Sequence, residues 1–387
     1  MKEFQLIARE VDKLRAAGKR AVLATVVDIQ GSSYRLPGAR MLIADTQWTA
    51  GSVSGGCLEG DVVLRAREVL ETRRPTVVTY DTTSDEDIIF GVGLGCRGII
   101  HVLIEPIDRE AQAPDLVGFI RDCISRREAG IVATVVRVNN ETASLTGTRL
   151  VRGASGEMQS NIPDAALASE VTAYVSRVKA EDASHMTRFD TDQGAAQVFV
   201  EVIRPPLPLL IFGAGHDAIP MARLAKELGW HVTVIDHRPA YATRERFPCA
   251  DEVIVATAPE IPQRVPLGRE TVALVMTHNY LRDLEVLKLL LPSTVRYIGL
   301  LGPKRRAGEL MEELERHALA LTEEQCRRFY APVGLDLGAE GPEGVALSVL
   351  AEIQAVVAGR TPGHLRDRKG SIHGLTPVTP RKAKATA

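Results

Sequence analysis

The chain has 387 residues and no apolar run of the roughly 18 residues that a membrane-spanning helix requires. Its first segment, MKEFQLIAREVDKLRAAGKR, places apolar residues at helical spacing and lacks the continuous apolar stretch of a signal peptide. Charge of one sign is also lacking, because 47 Lys and Arg residues face 49 Asp and Glu residues. Nucleic-acid-binding proteins usually carry a basic excess. We therefore predict a cytoplasmic protein with neither a membrane nor a nucleic-acid partner.

Cysteine is scarce, and its spacing excludes the common cysteine-based frameworks. The five cysteines are an odd number spread over a long chain, which fits a reducing compartment better than a disulfide framework. No CxxC or CxxH pair occurs, so a structural zinc site is not expected. The HExxH motif and a Ser-His-Asp order are absent as well, and the sequence offers no hydrolase signature.

The pattern of elements predicts two domains, residues 1–203 and 207–360, followed by a disordered basic tail at 361–387. Pro205, Pro206 and Pro208 interrupt helix formation at the boundary. Strands are predicted before it at 21–30, 41–45, 101–106, 131–138 and 197–203, with helices between them, which indicates a mixed α/β domain. From residue 209 onward strands alternate with helices, and this order predicts a Rossmann-like, doubly wound parallel sheet.

The second domain opens with the strand-turn-helix sequence LLIFGAGHDA (209–218). In such a turn Gly213 allows the tight bend, Gly215 lets a pyrophosphate approach the backbone, and Ala218 replaces the third glycine of the motif. Asp236 ends the next strand about 20 residues later, where an acidic side chain can accept a hydrogen bond from a ribose hydroxyl. Together these residues predict a nucleotide-binding unit.

Three further side chains are candidate ligand contacts of this unit. Arg238 follows Asp236 closely and would instead favour a ribose 2′-phosphate, whereas His216 lies in the turn, where capping is the alternative role. His278 follows the fourth strand, at the carboxyl edge where open α/β sheets bind ligands, and local capping is again the alternative. In GLLGPKRRAGEL (299–310), cations crowd a helix N-terminus, which predicts either a facing anion or a solvated surface.

Two glycine-rich loops of the first domain contain cysteines. Cys57 lies in GSVSGGCLEG (51–60) where a helix begins, a position that increases the nucleophilic and metal-binding character of a thiol. Gly55 and Gly56 leave the backbone beside it open to a ligand. Cys96 lies in GVGLGCRG (91–98), between glycines and an arginine. Both cysteines are candidate metal ligands, and an inert thiol is the alternative for each.

A third loop, GSSYRLPGAR (31–40), contains Arg35 and Arg40. Arginine beside hydroxyls and backbone amides suits a phosphate or another oxyanion. The alternative is a hairpin-like connection with solvated arginines.

Over residues 20–360 the chain resembles the XdhC/CoxI family of molybdenum-enzyme accessory proteins. The resemblance is carried, in chain order, by GSSYRLPGARM, GSVSGGCLE, GLGCRG, LLIFGAGHDA, VIDHRP, MTHNYLRD, YIGLLGPKRR and PVGLDLGAEGPEGVALSVLAEI. Residues 107–200 carry the least of it. Two departures stand at Arg97, where the family usually has glycine, and at Tyr34, where proline is common.

The resemblance implies an accessory protein that binds the molybdenum cofactor, as molybdopterin or its dinucleotide form. Such proteins protect the cofactor while a cysteine desulfurase supplies its terminal sulfur, and help to insert it into a xanthine dehydrogenase-like molybdenum hydroxylase. It places Gly55, Gly56, Cys57 and Cys96 at the cofactor, and it implies a homodimer. The residues alone leave two alternatives open. One is an NAD(P)-dependent oxidoreductase that uses His278 or Asp283 in acid–base work, and the other is a nucleotide-sensing regulator without catalysis.

Overall fold

The computed structural model describes residues 2–82, 98–107, 114–138, 145–191, 194–316 and 321–369. Cys96 and residues 370–387 of the basic tail lie outside the described residues. The chain divides into two compact units, residues 3–205 and residues 206–364. In the described part of the chain, no helix combines the length and the apolar character needed to cross a membrane.

The first unit contains two five-stranded antiparallel sheets. The first sheet and its helices comprise α1 (Lys2–Ala16), β1 (Ala21–Gly31), β2 (Arg40–Ala44), β3 (Gln47–Gly51), α2 (Glu59–Thr72), β4 (Thr76–Asp81) and β5 (Gly98–Pro106). The second comprises α3 (Leu116–Arg126), β6 (Gly130–Val138), β7 (Arg149–Arg152), β8 (Met158–Ser160), α4 (Ala165–Val175), β9 (His185–Thr191) and β10 (Gly194–Ile203).

The two sheets are copies of one pattern, an internal repeat. Their strand orders, β3-β2-β1-β5-β4 and β8-β7-β6-β10-β9, correspond strand by strand. Arg40 pairs with Thr25 in the first sheet as Arg149 pairs with Thr134 in the second. The turns that precede β2 and β7 are also alike, because each contains a glycine with positive φ, Gly38 (92°) and Gly147 (85°). The first unit is therefore a duplicated half-domain.

Two buried ion pairs join the sheets, and each is the counterpart of the other. Arg40 on β2 donates to Glu201 on β10 (2.9 Å from Nη1 to Oε1), and Arg149 on β7 donates to Glu105 on β5. All four side chains are 6–8% exposed. Since each repeat supplies the arginine of one pair and the glutamate of the other, the connection is reciprocal, as in an isologous dimer interface.

Apolar side chains complete the contact between the sheets and cover their outer faces. Val27 and Leu103 from the first repeat pack with Val136 and Phe199 from the second. Helix α2 packs against the first sheet through one cluster, and α4 packs against the second sheet through another. Helices α1 and α3 share a further cluster with residues of both sheets. The core of this unit is thus split between helix–sheet and sheet–sheet layers.

The second unit is a six-stranded parallel sheet in the order β13-β12-β11-β14-β15-β16, the doubly wound arrangement with a switch point between β11 and β14. Its elements are β11 (Pro208–Phe212), α5 (Ala218–Glu227), β12 (His231–Asp236), β13 (Glu252–Val255), β14 (Val272–Val275), α6 (Tyr280–Leu290), β15 (Tyr297–Leu300), α7 (Lys304–Arg316), α8 (Glu323–Arg328), β16 (Phe329–Tyr330) and α9 (Pro342–Val357). Helices α5 and α9 cover one face, and α6 and α7 the other.

The predicted fold class is confirmed, with several strands added. Six strands were not predicted from the sequence: β3, β4, β7, β8 and β9 in the first unit and β16 in the second. Short exposed strands such as β3 and β8 bury few residues, so they lack the apolar alternation that identifies a strand. The sequence pattern predicts a helix at about 164–180, whereas α4 ends at Val175, where a turn carries the chain towards β9.

Replacing Arg40 by Met is expected to lower the free energy of unfolding by about 3–5 kcal/mol, because Glu201 is then buried without a partner. Replacing Arg149 by Met should cost a similar amount through Glu105. Urea-induced unfolding followed by circular dichroism measures both changes. The control is Lys19→Met, which breaks an exposed pair with Asp45 and should change the free energy by less than about 1 kcal/mol. A loss at Arg40 no larger than that of the control would mean that the pair does not hold the sheets together.

Candidate functional site

The loop between β3 and α2 presents a cysteine to solvent on a well-anchored backbone. Val53 and Leu58 are buried at its two ends, 0% and 4% exposed. Between them Gly55, Gly56 and Cys57 are exposed. Both glycines have positive φ, 100° and 121°, which side-chain-bearing residues rarely adopt. The glycines therefore bend the chain so that the thiol lies at the tip of the loop.

The inside of this loop is filled by the carboxylate of Glu59, the first residue of α2, which is 3% exposed. Its Oε1 accepts from the backbone N–H groups of Val53 (3.1 Å), Ser54 (2.9 Å) and Gly55 (3.2 Å) and from the Ser52 hydroxyl (2.8 Å). Its Oε2 accepts from the N–H groups of Gly56 (2.9 Å) and Leu58 (3.2 Å) and from the Ser54 hydroxyl (2.5 Å). We call residues 52–59 the Glu59 nest.

These bonds keep the carboxylate charged. Burial alone would raise the pKa of Glu59, but the hydrogen bonds from Ser54 and Ser52 outweigh it and lower the pKa to about 2. A full negative charge therefore lies at the positive end of α2. The sequence analysis expected the backbone beside Cys57 to be open to a ligand. The exposed glycines remain approachable, but five of the loop's backbone N–H groups already donate to Glu59.

The two arginines of the 31–40 loop have different environments. Arg40 is 7% exposed and bound to Glu201, so its guanidinium is part of the core. The prediction that Arg40 contacts a phosphate is therefore wrong. Arg35 is part-buried and pairs with Glu3, whose Oε1 also accepts from the N–H of Ser52 at 2.7 Å. Arg35 is therefore held beside the Glu59 nest.

Tyr34, from the same loop, lies against Gly55. A Cβ atom at residue 55 would come within 2.9 Å of the Tyr34 ring. The ring is 72% exposed and so forms part of the surface next to the cysteine.

Cys57 is the described member of the predicted cysteine pair, because Cys96 lies outside the described residues. No group of three or more His, Cys, Asp or Glu side chains that could hold a metal ion occurs within the described ranges. Cys123, by contrast, is buried on α3, and burial raises the pKa of its thiol to about 11. Of these two described thiols, Cys57 is the one available to a ligand.

In the second unit, the glycine turn after β11 has the geometry that the sequence predicts. Gly213 has a φ of 115°, and a Cβ atom there would lie 2.4 Å from the carbonyl oxygen of Met276. Ala218 is fully buried at the start of α5, as close helix–strand packing requires. His216 is exposed in the turn.

The carboxylate of Asp236 is committed to the chain itself. Its Oδ2 accepts from the N–H of Ala214 at 2.7 Å and from Arg238 Nη2 at 2.8 Å, while Oδ1 accepts from the N–H and Nε of Arg238, both at 2.9 Å. Burial would raise the pKa of Asp236, but these bonds hold it below its ordinary value. The predicted contact with a ribose hydroxyl is thus replaced by an internal pair, and Arg238 stacks on Tyr241 at 3.9 Å from the ring centroid.

A second carboxylate occupies the space that Gly215 opens. A Cβ atom at Gly215 would lie 2.7 Å from Oδ1 of Asp217, and Oδ2 of Asp217 is 2.7 Å from Nε2 of His278. His278 is 60% exposed and has a φ of 58°. His278 therefore lies at the carboxyl edge as predicted, and its partner there is Asp217, a residue of the glycine turn.

The crevice at this edge is small. A cavity of about 30 Å³ lies among Gly213, Asp236, Thr257, Thr277 and neighbouring residues. Ligand pockets usually measure roughly 300–1,000 Å³. The turn therefore has the shape of a nucleotide-binding motif, with the chain's own carboxylates where phosphate and ribose would bind.

The anion expected to face the cations at the start of α7 is Asp283. Arg306 Nη2 donates to Oδ2 of Asp283 at 2.5 Å, and the Thr277 hydroxyl donates to Oδ1 at 2.5 Å. The Asp283 side chain is 1% exposed. This pair ties α7 to α6, and it explains one of the three cations, because Lys304 and Arg305 are exposed.

Comparison with known proteins assigns the chain to a family. A family model described as the XdhC Rossmann domain matches residues 209–353, and one described as the XdhC and CoxI family matches residues 14–81. A Bacillus subtilis (strain 168) protein described as a probable xanthine dehydrogenase subunit is 36% identical over 343 residues, covering 89% of this chain and 95% of the relative. The chain belongs to the XdhC and CoxI family. The resemblance predicted from the motifs is thereby confirmed.

Two further similarities extend over most of the chain. The molybdenum cofactor insertion chaperone PaoD of Escherichia coli (strain K12) is 25% identical over 358 residues, covering 92% of this chain and 89% of PaoD. A crystal structure described as a xanthine dehydrogenase from Bacillus halodurans has a TM-score of 0.71 at 28% identity, covering 92% of this chain and 96% of that chain.

Sequence reasoning missed Glu59 and the pairing of Asp217 with His278. For Glu59 a signal was present, because an acidic residue in the first turn of a helix, after serines and glycines, is typical of N-terminal capping. For the pair there was none, since 61 residues separate its members.

Replacing Asp236 by Asn is expected to lower the free energy of unfolding at pH 7 by about 1.5–3 kcal/mol, because Arg238 and Ala214 lose charged hydrogen bonds. The folded-state pKa of Asp236 is depressed, so its contribution is complete above the ordinary value of 3.8 and is lost as the pH falls below it. Thermal unfolding of both proteins across this range should show the difference shrinking. Exposed Asp336, replaced by Asn, is the control and should show little change. A difference independent of pH would argue against a charged role.

Proposed function

We propose that this protein binds the molybdenum cofactor and supports its sulfuration and insertion into a xanthine dehydrogenase-like molybdenum hydroxylase. The observation that carries the proposal is the exposed Cys57 thiol, presented beside two bare glycines on a loop anchored at both ends. The similarity to PaoD, which is described as a molybdenum cofactor insertion chaperone, supports the same cofactor class. The similarity to proteins described as xanthine dehydrogenase components supports the class of the recipient.

The residues around Cys57 fit the metal end of such a cofactor. Thiolates are soft ligands that suit metals rich in sulfur coordination. Gly56 leaves open space beside the thiol, since nothing lies within 4 Å of a Cβ atom placed there, and the Tyr34 ring against Gly55 offers an exposed flat surface next to it. When bound, the cofactor would supply a molybdenum centre held by a dithiolene. We propose Cys57 as its protein contact, with Arg35, which Glu3 links to Ser52 of the same loop, as the accompanying cation. We retain Cys96 as a second ligand on sequence grounds alone.

The Rossmann turn does not fit a pyrophosphate as it stands, because Asp217 fills the space at Gly215 and Asp236 takes the N–H of Ala214. A nucleotide, whether the tail of a dinucleotide cofactor or a separate NAD(P), would first have to displace the Asp217 carboxylate. We keep Gly213, Gly215, His216, Ala218 and His278 as its proposed contacts. We derive no hydride-transfer step from this unit.

Two protein partners follow from the family resemblance. We propose that a cysteine desulfurase supplies the terminal sulfur while the cofactor is bound, and that the loaded protein then associates with the molybdenum hydroxylase. We also propose that the protein acts as a homodimer, which light scattering of the purified protein tests directly.

Protein purified from cells that make the molybdenum cofactor is expected to contain molybdenum and to release a fluorescent pterin after oxidation. Replacing Cys57 by Ser should lower the retained molybdenum and pterin about tenfold, because one lost metal bond exceeds about 1.4 kcal/mol. Metal analysis by mass spectrometry and pterin fluorescence measure the two parts independently. The matched control is Cys326→Ser, since Cys326 is also exposed but lies on α8.

Two outcomes would count against this function. Wild-type protein without molybdenum and pterin would remove the cofactor from the proposal, and unchanged loading of Cys57→Ser would remove the thiol from the site. The dehydrogenase alternative makes a separate prediction, which is tight NAD(P)H binding with hydride transfer to a small substrate. The small volume of the crevice beside Gly213 leads us to expect no such transfer.

A further inference from the structure

We propose that Glu59 is the positioning residue of the Cys57 site: its carboxylate fills the Glu59 nest (residues 52–59), fixes the direction of the thiol and withholds the amides that it binds from the phosphate of a ligand. The inference rests on the proposed function in so far as the thiol contacts a cofactor. The contacts between Glu59 and the loop do not depend on that function, because they lie within this chain.

The bonds of the nest bracket the cysteine on both sides. The N–H groups of Gly56 and Leu58, the residues that flank Cys57, both donate to Oε2 of the one carboxylate, at 2.9 and 3.2 Å. The Ser54 hydroxyl connects the two ends, because it donates to Glu59 and accepts from the N–H of Leu58 at 2.8 Å. With both neighbours fixed to the same atom, the backbone of Cys57 has little freedom, although its side chain is exposed.

Successive backbone N–H groups that converge on one point form the kind of nest that binds phosphates in other proteins. Here the bound anion is a side chain of the loop's own helix, 3% exposed and held from several directions. An external phosphate would have to displace this buried, charged group. The loop therefore offers its thiol to a ligand and does not offer its amides.

The internal repeat shows that the fold does not require this arrangement. At the equivalent place in the second repeat, between β8 and α4, the connection NIPD (161–164) has neither a glycine pair nor a cysteine. There Asp164 caps α4 in the ordinary way, by accepting from the N–H of Leu167 at 2.9 Å. One capping bond thus serves the second helix, whereas the first repeat uses a buried carboxylate with a set of bonds. The extra bonds all go to the loop that carries Cys57.

The test compares Glu59→Gln and Glu59→Ala with two controls in the full chain. Glu68→Gln changes an exposed glutamate of the same helix, and Asp164→Ala removes the equivalent cap of the second repeat. Three quantities are measured: hydrogen exchange of the backbone amides of residues 52–58, the rate at which iodoacetamide labels Cys57, and the molybdenum retained after purification. Peptide mass spectrometry resolves Cys57 from the other cysteines.

In both Glu59 variants the amides of Val53, Ser54, Gly55, Gly56 and Leu58 are expected to exchange about tenfold faster or more, since each loses a charged hydrogen bond to Glu59. The labelling rate of Cys57 should differ from that of the wild type, and retained molybdenum should fall about tenfold, matching Cys57→Ser. Sodium acetate should restore slow exchange in Glu59→Ala, where it can enter the vacated nest, while sodium chloride at equal ionic strength should not. Asp164→Ala should lower the unfolding temperature without altering these three quantities.

Unchanged exchange and labelling in the Glu59 variants would overturn the proposal. Faster exchange with unchanged labelling and molybdenum retention would also overturn it, because Glu59 would then stabilise the loop without positioning the thiol. If Glu59→Ala does not fold, the isosteric Glu59→Gln decides the question by the same measurements. A wild type that binds no cofactor would refute the proposed function, whereas exchange and labelling would still judge the positioning of Cys57.

Discussion

A carboxylate removed from water must receive its hydrogen bonds from the chain itself, and each key feature of this protein is arranged around one that does. Glu201 and Glu105 accept hydrogen bonds from arginines, and these ion pairs join the two sheets of the first unit. Glu59 accepts hydrogen bonds from backbone amides of the cysteine loop, and Asp236 accepts them from Arg238 and from the amide of Ala214 in the glycine turn. Because an unpaired buried charge is so unfavourable, each of these groups determines the conformation of the segment that supplies its donors.

The internal repeat separates what the fold needs from what the site needs. Both repeats have an arginine shortly after a glycine with positive φ, at Arg40 and Arg149. Both also have a glutamate on the corresponding strands β5 and β10, and these residues hold the sheets together. They differ between the third strand and the following helix, where only the first repeat has the glycine pair and the cysteine. Features common to the repeats thus report on folding, and the difference between them points to function.

Much of the fold could be predicted from the sequence, because parallel strands are buried on both faces and give long apolar signals. The repeat was not predicted although AVLATVV (21–27) and GIVATVV (130–136) are similar, since its third strands, β3 and β8, are short and exposed. At the site, the loops and the exposed cysteine could be predicted from local motifs. The partners of Arg40 and Asp217 could not be predicted, because motifs describe neighbours in sequence, whereas Arg40 and Glu201 are 161 positions apart and Asp217 and His278 are 61 positions apart.

The glycine motifs of this chain show that a phosphate-binding signature predicts the shape of the backbone. It does not predict whether the site is free to bind a phosphate. Glycines at 55, 56, 213 and 215 produce turns with converging N–H groups or bare backbone, as phosphate sites do. In both turns a carboxylate from the adjacent helix or strand already lies there, at Glu59, Asp217 and Asp236. An anionic ligand must then compete with a tethered charge. The turn at Gly55 and Gly56 leaves the Cys57 thiol free. A free thiol favours a ligand that is recognised through its metal over one that is recognised through its phosphate.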